Sequence, residues 1–200
     1  MKRIAAGMLL AAVSALALAQ NPPPPARVRG TVEKIDGTLL TVKARDGGAV
    51  TIRLADNYTV IGVSRARLED IGAGKFIGVA TLGERNGGLV ALEVHIFPEA
   101  MRGVGEGHYA WDLKPESKMT NGNVADVKSV GKDRLLTVQY KGGEQKVLVP
   151  AKARVVVFGP AERGELKKGA HIFCVAQRAA DGSLSAARVN VGLKGITPPM

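Results

Sequence analysis

The sequence predicts an all-β chain: two tandem small antiparallel β-barrels, each with a short helical insertion, joined by a long ordered loop. Three observations predict it. Glycine is abundant at 25 residues and aromatics scarce at 4% of a 200-residue chain, which suits short strands and tight turns over a helical bundle. Short β-branched runs recur between Asp-Gly and Asn-Gly pairs, which accept the positive φ of hairpin turns. One order of segments also occurs twice. Leu39-Leu40-Thr41-Val42 returns as Leu135-Leu136-Thr137-Val138, and Gly87, Leu89, Ala91, Val94 and Ile96 return as Gly182, Leu184, Ala186, Val189 and Val191. The spacing is constant to within one residue, the mark of a tandem duplication.

The elements follow in order. Lys2 and Arg3 open the chain, an apolar run extends from Ile4 to Leu18, and Ala17-Leu18-Ala19 precedes Gln20. A positive start, a short apolar core and an A-x-A site form a secretory signal peptide over 1–19, cleaved after Ala19. The apolar run falls short of the roughly 20 residues that span a bilayer, so the expectation is a periplasmic protein with no spanning segment. Loss of Lys2 and Arg3 takes the formal charge from +10 to +8. A Pro-rich spacer occupies 20–27. Strands are expected at 28–35, 39–44, 50–54 and 58–63, separated by Asp36-Gly37, Asp46-Gly47-Gly48 and Asp56-Asn57. The stretch 64–70 begins with a Ser cap and has no turn breaker, which predicts one or two helical turns. Strands at 76–82 and 89–97 complete a first barrel over 28–97. A second, over 124–192, follows the same order with 161–166 in the helical slot, and 193–200 is a C-terminal tail. Such a strand count with one helical insertion suits a barrel of the OB type, whose closure removes exposed edges.

The run Val32-x-x-Ile35-Asp36-Gly37-x-Leu39-Leu40-Thr41-Val42 comes first, then Leu68-Glu69-Asp70-Ile71-Gly72-Ala73-Gly74. A hydrophobic strand and Gly87-Gly88-Leu89-Val90-Ala91-Leu92-Glu93-Val94 complete the order. It resembles the small exported bacterial β-barrel domains, OB-like, of unknown function. The resemblance covers 28–97 and 124–192 but not the segment between them. It implies a fold more than a chemistry. Some similar chains carry a metal-transport label, which here implies at most a soluble accessory role.

The inter-repeat loop, 98–123, shows no strand alternation and exceeds the ~12–15 residues usual for structureless connections in compact proteins. It holds the only tryptophan, Trp111, with Tyr109, Met101, Met119 and His108. That content argues for an ordered loop carrying function or a clasp between barrels. The clasp reading assigns partner contacts to Met101, Arg102, Tyr109, Trp111 and Asp112. The metal reading assigns His95, Glu99, Glu106 and His108 to zinc or copper, since imidazole with carboxylate suits zinc or copper(II) and thioethers suit copper(I). Strand alternation puts Glu93, His95 and Phe97 on one face, where His95 could equally be an exposed polar residue; its counterpart in the second repeat is Asn190.

Cys174 lies in the apolar run 172–176, as expected of a buried thiol. The positive balance suits an envelope protein or anionic envelope polymer as partner. Nucleic acid is disfavoured, because few aromatics are available as stacking platforms and the chain carries an export signal. No nucleophile elbow, phosphate loop or H-E-x-x-H motif is present, so the sequence reads as a non-catalytic binding or envelope-assembly module. A metal-binding accessory and a purely structural interaction protein are the alternatives.

Overall fold

The computed structural model describes residues 23–199, so the expected signal peptide lies outside the described residues. The fold is all-β. Its strands are β1 (Ala26–Asp36), β2 (Leu39–Ala44), β3 (Ala49–Arg65), β4 (Phe76–Arg85), β5 (Gly88–Ile96) and β6 (Gly107–Ala110). They continue with β7 (Lys118–Val130), β8 (Asp133–Tyr140), β9 (Gly143–Val149), β10 (Arg154–Ala161), β11 (His171–Arg178) and β12 (Leu184–Gly192). No helix among the described residues is long and apolar enough to cross a membrane.

Each expected helical insertion is a single 3-10 turn, Leu68–Asp70 and Arg163–Glu165. At the first, the Asp70 carboxylate accepts the Arg67 backbone N–H at 2.7 Å and closes the turn, leaving too few residues for a helix to recover its nucleation cost.

The pairings close a five-stranded barrel in the order β1–β2–β3–β12–β11 and back to β1. A second ring closes as β4–β5–β9–β8–β7 and back to β4. Each ring has its own apolar core, one around Val32, Leu40, Ile52 and Cys174, the other around Ile77, Val94, Leu136 and Val147. The arrangement of one barrel over 28–97 and another over 124–192 is therefore not what the strands adopt. Each ring draws strands from both halves of the chain.

The cause lies in β3. The Asp56-Asn57 pair, expected to turn the chain, is instead part of an irregularity within one continuous strand. Leu54 pairs with Ala186 and Thr59 with Arg188, so β3 carries the excess residues as a bulge. Past it β3 stays paired with β12 as far as Val63, but its other edge, released by β2, pairs antiparallel with β10, Val60 opposite Ala161 and Arg65 opposite Val156. β10 in turn pairs parallel with β5 of the second ring. The β3–β10 pair is thus the beam between the two rings.

Matching backbone bonds mark the two rings as equivalent. The Val32 N–H donates to Ala170 O at 2.9 Å and Gly169 donates to Val32 O at 2.8 Å. Likewise the Val124 N–H donates to Lys75 O and Gly74 donates to Val124 O, both at 2.8 Å.

The inter-repeat segment is more regular than expected. Residues 118–123 are the first half of β7, paired with β4 from Phe76 opposite Asn123 to Thr81 opposite Lys118, and β6 pairs along the other side of β7. These residues show no alternation because Met119, Thr120, Asn121 and Gly122 are all buried, covered on both faces. Gly122 runs so close to the Gln139 carbonyl that any Cβ would collide with it.

Candidate functional site: a cleft between the two rings

Two rows of side chains, one from each ring, face the beam. In the second ring His95, Gly78 and Asn121 sit side by side on β5, β4 and β7. In the first ring Asn190, Phe173 and Arg29 occupy the same positions on β12, β11 and β1. Between the rows lies a cleft of about 870 Å³, lined from both rings, from β10 and from the segment 97–111.

Its walls are aromatic. Phe158 of β10 stacks on His95 at 5.7 Å and meets Phe97 edge-on at 5.0 Å. On the opposite side Trp111 packs against Phe173 at 6.4 Å and Tyr109 at 6.2 Å. Met101, Phe158 and Phe173 join Val63 and Val156 in a third apolar cluster over the beam.

The segment above the beam is pinned at both ends. The buried Ser117 hydroxyl has Lys114 O at 2.7 Å and Trp111 O at 3.0 Å as acceptors and itself accepts the Lys114 N–H at 3.1 Å, which closes a turn around 111–117. Asp112 takes a bidentate pair from Arg29 at 2.7 and 3.1 Å, with Arg27 3.7 Å away and its guanidinium 4.2 Å above the Trp111 ring. Burial raises the Asp112 carboxyl, but the Arg29 bonds and the charges of Arg29 and Arg27 outweigh it, so its pKa lies below the ordinary value. At the other end Arg102 ties Glu99, Asn123 and Gly74 O together. The bond from Arg102 holds the Glu99 carboxyl below its usual range. The clasp residues Met101, Arg102, Tyr109, Trp111 and Asp112 thus all make contacts that hold this segment down.

The expected metal set does not converge. His95 is 1% exposed, not a surface residue, and its Nε2 lies 3.2 Å from the equally buried Glu93. His108 meets Thr120 Oγ1 through Nδ1 at 2.8 Å and stacks on Tyr140; burial, then the Lys118 charge, lowers its pKa. Glu99 is held by Arg102, and Glu106 accepts the Lys141 N–H. No group of three or more His, Cys, Asp or Glu side chains placed to hold a metal ion occurs among the described residues. Cys174 is buried as expected, and burial pushes its thiol pKa up to about 12.

Three buried polar atoms at the cleft have no hydrogen-bond partner among the described residues: Trp111 Nε1, Asn121 Oδ1 and Asn190 Oδ1. The asparagine orientations are fixed by acceptor-only carbonyls. Asn121 Nδ2 donates to Val104 O at 3.2 Å and Asn190 Nδ2 to Phe173 O at 3.2 Å, so each Oδ1 is left as an acceptor. None of the lining side chains is acidic, while Arg27 and Arg188 are both cationic. Sequence reasoning did not single out Asn121, Asn190, Phe158 or Phe173. The signal for Asn190 was its place 95 residues beyond His95, the offset at which the two halves of the chain look alike, and for the floor it was Gly78 inside an apolar run.

Comparison of the chain with known protein families, with curated proteins and with solved structures finds no match.

Proposed function

We propose that the chain is an exported, non-catalytic binding module, built from two OB-like barrels of duplicated sequence that have exchanged strands. Its site is the aromatic cleft roofed by the inter-repeat segment. The observation that carries this reading is the set of three unpartnered polar atoms, Trp111 Nε1, Asn121 Oδ1 and Asn190 Oδ1, around apolar walls. A buried polar group without a partner costs about 1–3 kcal/mol. A molecule with an apolar body, two hydrogen-bond donors and one acceptor satisfies all three atoms, each closed to water as the cleft stands, once the roof gives enough to admit it. The cleft volume of about 870 Å³ suits a small organic ligand.

The test uses Trp111 as its own reporter, since it is the only tryptophan. Titration with N-phenyl-1-naphthylamine, a neutral aromatic amine, is expected to give saturable one-to-one energy transfer from Trp111. Absence of saturable transfer overturns the reading.

A further inference from the structure

We infer that the ligand of this cleft is a small organic anion: an aromatic or similarly apolar body bearing an acidic group and an N–H or O–H donor. The inference rests on the cleft being the binding site and adds the chemistry of what it takes.

Charge is the first argument. The lining includes Arg27 and Arg188 and no carboxylate. The nearest acid at the rim, Asp112, already holds Arg29 in a bidentate pair. Arg27 stands 3.7 Å from that spent carboxylate, so the rim keeps an excess of positive charge. Arg188 is exposed, and its guanidinium has no partner among the described residues. A guanidinium beside an apolar wall favours a carboxylate, sulfonate or phosphate, which it meets with two parallel N–H bonds.

The floor supplies the second argument. Asn121 is 7% exposed, and its Oδ1 is an acceptor held in place from behind. Asn190 Oδ1 offers a second such acceptor from the other ring, at the position that His95 holds in its own row. Two fixed acceptors select a ligand with N–H or O–H donors, and a plain hydrocarbon anion leaves both unmet. The Phe158, Phe173 and Trp111 rings then cover its body.

The matched probes are 8-anilinonaphthalene-1-sulfonate and N-phenyl-1-naphthylamine, which share rings and the aniline N–H and differ by the sulfonate. Binding is read as energy transfer from Trp111 in the full mature chain. The expected result is about tenfold tighter binding of the sulfonate, the worth of one charge-assisted contact. That advantage is expected to fall in Arg188→Gln and at high salt, with the neutral probe unaffected. Equal affinities, or tighter binding of the neutral probe, overturn the anion inference and leave the cleft reading standing. Failure of both probes overturns the cleft reading and this inference with it. Displacement of both probes by a neutral chitooligosaccharide at lower concentration than by a free aryl carboxylate assigns the site to a saccharide and also overturns it.

Discussion

Alanine at Gly78 tests whether the cleft floor is held rigidly. A Cβ there would lie 2.6 Å from Asn121 Oδ1, 3.1 Å from the Phe97 ring and 3.3 Å from His95 Nδ1. None of the three is a loose chain end. Asn121 is anchored through Nδ2 to Val104 O and Tyr109 Oη, Phe97 lies against Phe76 and Phe158, and His95 is bonded to Glu93. Overpacking of this kind costs about 1–3 kcal/mol. Alanine returns about 0.4–1 kcal/mol by restricting the unfolded chain. The net expectation is a loss of about 1–2 kcal/mol, or roughly 2–8 °C in Tm for a chain of this size. Gly72→Ala is the control: nothing lies within 4 Å of its Cβ position, and its φ is not in the left-handed region. It should be neutral or slightly stabilising. Urea unfolding and calorimetry of both variants decide the matter. If the two agree within about 0.5 kcal/mol, the floor atoms are free to move and the reasoning fails.

Two further predictions follow from the roof and the core. Asp112→Asn removes the bidentate partner of Arg29, whose side chain is only 11% exposed; a stability loss of about 1 kcal/mol is expected, reduced because Asp112 is 45% exposed. The variant should show faster amide exchange over β6 and red-shifted Trp111 emission. Because the folded Asp112 pKa is lowered, its contribution is present above the unfolded value near 3.9 and is lost as pH falls through the folded one. The wild-type emission should therefore shift below about pH 4, and the Asp112→Asn emission should not. Cys174, with its thiol raised to about 12, has the opposite sign: its stabilisation is complete below the unfolded value near 8.5 and fades as pH climbs towards 12. The difference in stability between wild type and Cys174→Ala should shrink over that interval by several kcal/mol at most. Iodoacetamide should leave the native thiol unmodified at pH 8 and label it in denaturant, and rapid native labelling would refute its burial.

The hairpins were legible in the sequence because turn chemistry is local. Asn86 and Gly87 adopt φ of 52° and 73°, the positive values that the Asn-Gly pair between β4 and β5 announced. The path of β3 was not legible, because Asp56-Asn57 carries the same composition whether it turns the chain or bulges within a strand. Nor was the exchange of strands. The stretch that bonds to Val32 is Gly169-Ala170 and the stretch that bonds to Val124 is Gly74-Lys75, and these bonds use backbone groups that carry no side-chain identity. Segments that look alike in sequence specify the strand order around a ring without specifying which half of the chain supplies each strand. At the site, Trp111, Tyr109 and Met101 stood out because apolar side chains in a long connection need something to pack on. His95 was misread because polar alternation marks a face, and here that face is covered by β10 and the roof.

The same exchange accounts for how a cleft arises at all. Two barrels each formed from one half of the chain would need only a tether between them. Here β3 and β10 cross as one paired beam, so the rows His95–Gly78–Asn121 and Asn190–Phe173–Arg29 are brought to the same central region. Identical rows would make a symmetric gap. The middle position breaks the symmetry: glycine lets Asn121, Phe97 and His95 close in over the floor on one side, and Phe173 supplies a ring against Trp111 on the other. At the outer position Asn121 offers a buried acceptor where Arg29 offers a cation to Asp112. One row floors the cleft and the other anchors its roof, an arrangement that a single barrel of this size has no second row to make.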